Sequence, residues 1–302
     1  METSWTSIRA PSGAEPAGVR LALRYDPRPA PGAGGVEALY DALLAHVVAA
    51  EASGVDLVWI SERPFVPGAQ IPAALPLCAA LAVCTQRVRL GAGPLALPLY
   101  HPLRVAEDAA TLDGLSGGRI ELALGLGGAG QAFTGFGVPS RGRGDRLEEG
   151  IALMRAAWGG EPVSFDGRHH TVSDVSISPR PVQRPGPPLW VGATANAAVC
   201  RAARLGAGLL ATKTVAIERF REERRALGLR GPPRIALERD ASGALAVGER
   251  DELARLLEAA EEVEAFDLVI SAELPLGPGW IEARQIDALL ELRLRLAERA
   301  GG

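Results

Sequence analysis

Short apolar runs alternate along this chain with longer segments in which apolar residues recur every three or four positions. The first pattern is typical of buried strands and the second of amphipathic helices. The predicted strands are residues 19–25, 55–60, 88–97, 119–126, 189–192, 208–212, 234–238 and 267–271. The predicted helices, one after each strand, are residues 35–53, 72–85, 102–115, 145–158, 194–205, 215–227, 249–265 and 279–299.

Eight consecutive strand–helix units predict an α/β fold, because each helix returns the chain to start a strand parallel to the previous one. The number favours closure into a (β/α)8 TIM barrel, with an open doubly wound sheet as the alternative. Residues 159–188, rich in Pro and Gly, are predicted to be an excursion between the fourth helix and the fifth strand. Residues 1–17 are predicted to be a flexible tail, which leaves residues 18–302 as a single barrel domain.

The composition narrows the range of functions. A net charge of −4 provides no broad basic surface, so we expect no nucleic-acid partner. No apolar run reaches the length of a membrane span, and the N-terminus lacks the apolar core of a signal peptide. Cys78, Cys84 and Cys200 lack metal-ligand spacing, so we expect no metal and buried thiols in a reducing cytoplasm.

Four stretches of the chain carry a family resemblance. They read GVDLVWISE, LDGLSGGRIELALGLG, RGDRLEEGIALMRAAWGGEPVSFDGRHH and RPVQRPGPPLWVG. Their order and spacing over residues 54–212 resemble the bacterial luciferase-like family, whose fold is a (β/α)8 barrel with extra segments. In such barrels the chemistry takes place at the carboxyl ends of the strands, so the loops there contain the candidate site residues.

The resemblance implies a flavin-dependent oxidoreductase. The main expectation is a monooxygenase that uses reduced FMN and O2 on a small organic substrate, with a separate flavin reductase as supplier. The alternative is hydride transfer with coenzyme F420. A third hypothesis, from another functional class, is a barrel that has lost catalysis and acts as a binding or assembly partner. The resemblance also implies a homodimer.

Two loops are implied to hold the cofactor. The segment WVGATANAA, with Gly192, Ala193, Thr194 and Asn196, resembles the family segment that binds the flavin phosphate, and a helix N-terminus attracts such an anion. The alternative is that Thr194 serves only as a helix N-cap. The loop after the fourth strand is implied to lie beside the flavin ring, where glycines at 125 and 127 allow close approach of the backbone.

The third strand is predicted to support the ring. In the family this support resembles a bulge with a cis peptide bond, and Gly93-Pro94 stands at that position. Proline inside a central strand removes a donor from the ladder, which a bulge would explain. We therefore expect a cis Gly93-Pro94 bond.

The loop after the second strand, SERPF, supplies the catalytic candidates. Glu62 matches an acidic family position, and Arg63 stands where relatives commonly have histidine. The resemblance implies that the F420 reaction normally uses this histidine, which favours FMN. Arginine cannot act as a base, but it can stabilise a developing anion. The alternative for Arg63 is an ion pair with Glu62 or another carboxylate. Tyr25 and Phe65, at the first two strand ends, are predicted to line the substrate pocket.

Overall fold

The computed structural model describes residues 19–26, 35–68, 71–128, 130–193, 195–240 and 267–272. The strands in this part of the chain are β1 (Arg20–Tyr25), β2 (Leu57–Ile60), β3 (Arg89–Ala96), β4 (Ile120–Gly125), β5 (Val163–Asp166), β6 (Thr171–Val175), β7 (Leu189–Ala193), β8 (Gly208–Ala211), β9 (Ile235–Asp240) and β10 (Asp267–Ala272). The helices are α1 (Val36–Ala52), α2 (Ala74–Cys84), α3 (Pro102–Ser116), α4 (Gln131–Gly135), α5 (Arg143–Gly159), α6 (Asn196–Arg204) and α7 (Thr214–Ala226). The predicted parallel α/β fold is confirmed.

Eight of the described strands close into a parallel barrel in the order β1-β10-β9-β8-β7-β4-β3-β2. Between α5 and β7, the strands β5 and β6 form a separate antiparallel pair. The predicted strands of the barrel and the first six predicted helices agree with the observed ones to within two residues. The predicted tail at 1–17 and the helices predicted at 249–265 and 279–299 lie outside the described residues.

The interior of the barrel is filled by side chains that alternate with those facing the helices. Trp59 and Trp190 pack edge to face in its middle, with ring centroids 6.2 Å apart. Each indole occupies space that a neighbouring glycine leaves open. A Cβ on Gly91 would lie 2.2 Å from the Trp59 ring, and one on Gly208 would lie 2.5 Å from the Trp190 ring. The barrel is therefore solid below its carboxyl end.

The amino end of the barrel contains a charge network around Glu121, which is 1% exposed. Its carboxylate accepts hydrogen bonds from Arg20 Nη1 (2.8 Å), from Arg89 Nε, and from Trp190 Nε1 (2.7 Å). Burial alone would raise the pKa of Glu121, but the two guanidinium charges outweigh it and hold that pKa well below its usual range. The network thus compensates the buried charge of Glu121 at the amino end of the barrel, opposite the end where the candidate site residues lie.

Two of the motifs that carry the resemblance are hydrogen-bonded to each other at this amino end. Asp113, in LDGLSGGR, accepts hydrogen bonds from the backbone N–H (2.8 Å) and side-chain amide (2.6 Å) of Gln183, in PVQRPGPPLWVG. Arg119 of the first motif is 2% exposed and donates five hydrogen bonds to groups at the end of α2, before β3 and at the end of α3. These contacts therefore stabilise the fold at the amino end of the barrel, and the second motif continues through β7 to Gly192 at the carboxyl end.

The cysteine prediction was wrong at one position. Cys78 is buried as expected and Cys200 is partly buried, but Cys84, at the last turn of α2, is exposed. Its Sγ lies within hydrogen-bonding distance of the Ala80 carbonyl, on the helix face that does not pack against the barrel. Across the described residues, no three or more His, Cys, Asp or Glu side chains converge as a metal site would require. Within the same residues, no helix combines the length and apolar character of a membrane span.

Candidate active site

The third strand bulges where the sequence predicts it. The Gly93-Pro94 peptide bond is cis, which confirms the expectation. The pairing of β3 with β4 shifts register between Ala92 and Leu95, so the two intervening residues leave the regular ladder. Gly93 has φ of 118°, and a Cβ there would lie 2.3 Å from the Ala123 carbonyl oxygen, so glycine is required at this position.

The Pro94 ring is bordered by two glycines on neighbouring strands. A Cβ on Gly125 would lie 3.5 Å from Pro94 Cβ, and one on Gly192 would lie 3.2 Å from Pro94 Cγ. A larger side chain at either glycine would therefore cover the proline. We call this surface of Pro94, Gly125 and Gly192 the cradle; it lies at the carboxyl ends of β3, β4 and β7.

Gly127 lies just beyond the cradle, in the loop after β4. It has φ of 69°, and a Cβ there would lie 2.8 Å from Ala96 Cβ. Glycine therefore lets this loop pass directly over the end of β3. The contact identifies a structural reason for Gly127, and its role beside a cofactor ring stays a prediction.

A polar cluster that sequence reasoning missed faces the interior from another part of the barrel. Arg24 on β1 donates from Nε to Ser61 Oγ (2.8 Å) and from Nη1 to Glu238 Oε2 of β9 (2.6 Å). The side chains of Arg24 and Glu238 are only 15% and 12% exposed. The alternation of side chains in RLALRY could have predicted this orientation. Ala22 faces the inside of the barrel, and Arg24, two positions later, lies on the same face of the strand.

Arg63 forms an ion pair with Asp26, the residue that follows β1. Its Nε lies 2.6 Å and its Nη2 2.5 Å from Asp26 Oδ2, and the Arg63 side chain is 41% exposed. This is the ion pair that the sequence left open as the alternative, with Asp26 as the carboxylate. The pair links the ends of β1 and β2 at the rim of the barrel.

Glu62 packs behind the barrel wall at the start of α2. Its Oε2 accepts a hydrogen bond from the Ala74 N–H (3.4 Å), whereas Oε1 is sealed from solvent without a hydrogen-bond partner among the described residues. Burial raises the pKa of Glu62, and the nearby Tyr100 hydroxyl only partly counters this effect. Burial therefore favours the neutral form of Glu62 more than it would be favoured in water, and its catalytic role stays a prediction.

Replacing Glu62 by glutamine is expected to make the protein relatively more stable as the pH rises. Because the folded state raises the pKa of Glu62, its favourable contribution is complete below the unfolded pKa and is lost as the pH rises through the folded pKa. Glutamine does not titrate, so the difference in unfolding free energy, variant minus wild type, should increase with pH. One pKa unit corresponds to about 1.4 kcal/mol. Urea unfolding between about pH 3 and 8 measures it.

Glu51→Gln provides a control of opposite sign. Burial would raise the pKa of Glu51, but backbone N–H groups of Arg87, Val88 and Gln86 bind its carboxylate and lower that pKa overall. Its contribution is complete above the unfolded pKa and is lost as the pH falls through the folded pKa. Relative to wild type, Glu51→Gln should therefore lose stability as the pH rises toward the ordinary value of 4.5 and should show no slope above it. If Glu62→Gln were also flat above pH 4.5, Glu62 would have no raised pKa.

The prediction for Tyr25 was wrong. Tyr25 is 1% exposed, and its hydroxyl lies 2.6 Å from Nδ1 of His46 on α1. Its neighbour Arg24 faces the barrel interior, so alternation turns Tyr25 toward the helix layer. Tyr25 therefore packs between β1 and α1 and does not line the mouth of the barrel.

Phe65 lies where a substrate-lining residue would be expected. It follows β2, is 49% exposed, and packs against Phe136 of the loop after β4 with ring centroids 5.1 Å apart. Gly135 leaves room for this contact, because a Cβ there would lie 2.9 Å from the Phe65 ring. The two rings form an exposed apolar surface on loops at the carboxyl end of the barrel.

The predicted phosphate segment lies at the junction of β7 and α6. Gly192 and Ala193 are the last residues of β7, and Asn196 is the exposed first residue of α6. The N-cap is Ala195, which provides no side-chain hydrogen bond. Thr194 lies outside the described residues.

Comparison with known proteins gives one family match and several named relatives. The family profile described as luciferase-like monooxygenase matches residues 20–270. An F420-dependent glucose-6-phosphate dehydrogenase from Beutenbergia cavernae is 39% identical over 186 residues, which cover 60% of this chain and 55% of that relative. The oxygenase component of a flavin-dependent trigonelline monooxygenase from Acinetobacter baylyi is 29% identical over 157 residues, covering 51% of this chain and 43% of that relative. The chain spans about half the length of these curated relatives.

Solved structures extend the likeness over nearly the whole chain. The monooxygenase RslO1 from Streptomyces bottropensis superposes with a TM-score of 0.76 at 21% identity, covering 94% of this chain and 100% of that one. At this identity the likeness concerns the fold alone. It agrees with the closed parallel barrel described above.

Proposed function

The chain belongs to the luciferase-like monooxygenase family, and from this membership we propose that it is an oxidoreductase whose cofactor ring lies in the cradle. The supporting observation is that Pro94 is bordered by two residues without side chains, Gly125 and Gly192. A flat ring can approach such a surface closely, and the carboxyl ends of barrel strands are where enzymes of this architecture place their chemistry. FMN and coenzyme F420 both carry a ring of this shape, so the cradle fits either.

We place coenzyme F420 before FMN, reversing the order expected from the sequence. The F420-dependent relative is 39% identical to this chain, whereas the flavin-dependent monooxygenase component is 29% identical. The sequence argument for FMN rested on the replacement of the family histidine by Arg63. The role of Arg63 in stabilising a developing anion weakens, because Arg63 is already paired with Asp26. Monooxygenation with reduced FMN remains the second candidate, and it would require a reductase partner.

The chain's own groups would hold the cofactor at two places. Pro94, Gly125 and Gly192 would contact the face of the ring. The start of α6, at Asn196, would meet the phosphate through backbone N–H groups, aided by the helix dipole. When bound, the ring accepts or donates the electrons of the reaction, and the chain supplies its position and surroundings.

Cofactor titration tests this proposal. Purified protein is titrated separately with F420 and with FMN, and binding is followed by the change in cofactor fluorescence. We expect F420 to bind with a Kd at least tenfold lower than that of FMN. The reverse order would favour the monooxygenase. No binding of either at 100 μM would contradict an oxidoreductase and support the hypothesis of a barrel that serves only as a binding or assembly partner.

A further inference from the structure

Arg24 is a guanidinium held inside the mouth of the barrel with hydrogen-bonding capacity to spare. It has five N–H donors, and its bonds to Ser61 and Glu238 use two of them. These two bonds come from Nε and Nη1, so both N–H groups of Nη2 have no partner among the described residues. The two bonds fix the plane of the guanidinium, which directs the remaining donors in a defined orientation.

The position of Arg24 differs from that of Arg20, which lies four residues earlier on the same strand and also faces inward. Arg20 is paired with Glu121 in a network whose side chains are 5% and 1% exposed, at the amino end. The Arg24–Glu238 pair is 15% and 12% exposed and lies toward the carboxyl end. A buried ion pair seldom stabilises a fold more than apolar packing does. The Arg24–Glu238 pair, in contrast, remains within reach of a ligand that enters the carboxyl end of the barrel.

The barrel order places this pair across from the cradle. The cradle occupies the adjoining strands β3, β4 and β7, whereas Arg24, Ser61 and Glu238 come from the arc that contains β2, β1 and β9. Both sets face the interior at the carboxyl ends of their strands. A molecule that enters the mouth above the cradle thus meets the donors of Arg24.

The charge balance around Arg24 restricts which group of that molecule can bind there. Glu238 neutralises Arg24, and Asp26 neutralises Arg63 at the rim. A phosphate group gains most from an uncompensated cation or from a helix N-terminus, whereas a hydroxyl or carbonyl oxygen needs only an oriented N–H donor, which Arg24 supplies. The exposed rings of Phe65 and Phe136 add apolar surface to the loops of the same end.

We infer that Arg24, oriented by Ser61 and Glu238, donates a hydrogen bond to the hydroxyl or carbonyl oxygen of an uncharged substrate. This inference rests on the proposed function, because it places the substrate beside the ring in the cradle. It makes Arg24 a substrate-binding residue and Ser61 and Glu238 positioning residues. It also separates this chain from its relative named for glucose 6-phosphate, a phosphorylated substrate.

Ligand binding to the full chain, measured with and without added F420 or FMN, tests the inference. Calorimetry would compare cyclohexanone and benzyl alcohol with glucose 6-phosphate and inorganic phosphate. We expect at least one uncharged probe to bind, with an affinity at least tenfold above that of either phosphate compound. Arg24→Gln should weaken that binding at least tenfold while leaving cofactor affinity unchanged, and Ser61→Ala should cause a smaller loss. Arg104→Gln, on the surface of α3, is the matched control and should change neither.

Glu238→Gln distinguishes a ligand-binding role of Arg24 from a purely structural one, because only the former predicts a change in phosphate affinity. Removing the compensating carboxylate leaves the charge of Arg24 exposed to ligands, so affinity for inorganic phosphate should rise at least tenfold. The inference is overturned if wild-type protein prefers glucose 6-phosphate, if no uncharged probe binds, or if the Arg24 and Glu238 variants bind all probes as wild type does. Failure of the cofactor titration would instead refute the proposed function, so the two outcomes are distinguishable.

Discussion

Replacing Arg119 by alanine is expected to lower the free energy of unfolding by about 4 kcal/mol, because a buried hydrogen-bond network is broken. Arg119 uses all five of its donors. They bind the carbonyls of Ser116, Val88, Ala82 and Thr85 and the Thr85 hydroxyl, at distances of 2.7–3.1 Å. Truncation leaves these acceptors buried without partners, and each such loss costs about 1–3 kcal/mol before the structure relaxes.

Urea unfolding followed by circular dichroism measures this effect. Arg119→Lys should recover only part of the stability, because one ammonium cannot reproduce the planar fork of a guanidinium. Arg104→Ala is the control, since this arginine is 68% exposed and pairs with Asp108 on the surface of α3. Such a surface pair contributes about 0–1 kcal/mol. Equal losses for Arg119→Ala and Arg104→Ala would refute the structural role assigned to the LDGLSGGR motif.

The second large effect is expected at the cradle. Gly192→Val should weaken cofactor binding at least 100-fold, about 2.7 kcal/mol, while the barrel stays folded. The strand conformation accepts valine readily, but its side chain would project over Pro94, whose Cγ already lies 3.2 Å from the position of a Cβ. The side chain would thus occupy the volume assigned to the ring. Cofactor titration with F420 and FMN measures the loss.

Two further glycine substitutions make this test specific. Gly192→Ala fills less of the same volume and should cause an intermediate loss. Gly114→Ala, on the exposed face of α3 with nothing within 4 Å of its Cβ position, should leave affinity unchanged. Circular dichroism confirms that each variant is folded. If folded Gly192→Val bound the cofactor as wild type does, the ring could not lie in the cradle.

Some residues of the candidate site were predictable from the sequence and others were not, because only some of them leave a local pattern in the chain. The bulge at Gly93-Pro94 was predictable because proline in a central strand leaves a local mark in the sequence, and the resemblance supplied the cis bond. Glu62 and Arg63 were located by the same resemblance, but the partners that define their chemistry were not. Asp26 lies 37 positions from Arg63, and no local pattern indicates that the two would pair.

Side-chain direction at the strand ends was the other source of error. Tyr25 was expected in the substrate pocket because it ends a strand, yet alternation turns it toward His46 on α1. The same alternation turns Arg24 inward. A shift of one residue moves a side chain to the other face of the sheet, and the sequence of β1 has apolar residues on both faces. Only the packing of the barrel identifies which face is interior.

The sequence by itself determined the order of strands and helices, the family, and the glycines and proline of the cradle. The order of elements depends on short-range physics, namely hydrophobic period and helix-ending residues, whereas the family and the cradle residues were implied by the resemblance of quoted motifs. The tertiary structure alone decided that Arg24, Ser61 and Glu238 meet at the mouth. Arg24 and Glu238 are 214 positions apart, and they come together because β10 joins β9 to β1 when the barrel closes. Contacts that form only when the barrel closes leave no periodic pattern in the sequence. The cluster of Arg24, Ser61 and Glu238 was therefore identified only from the fold.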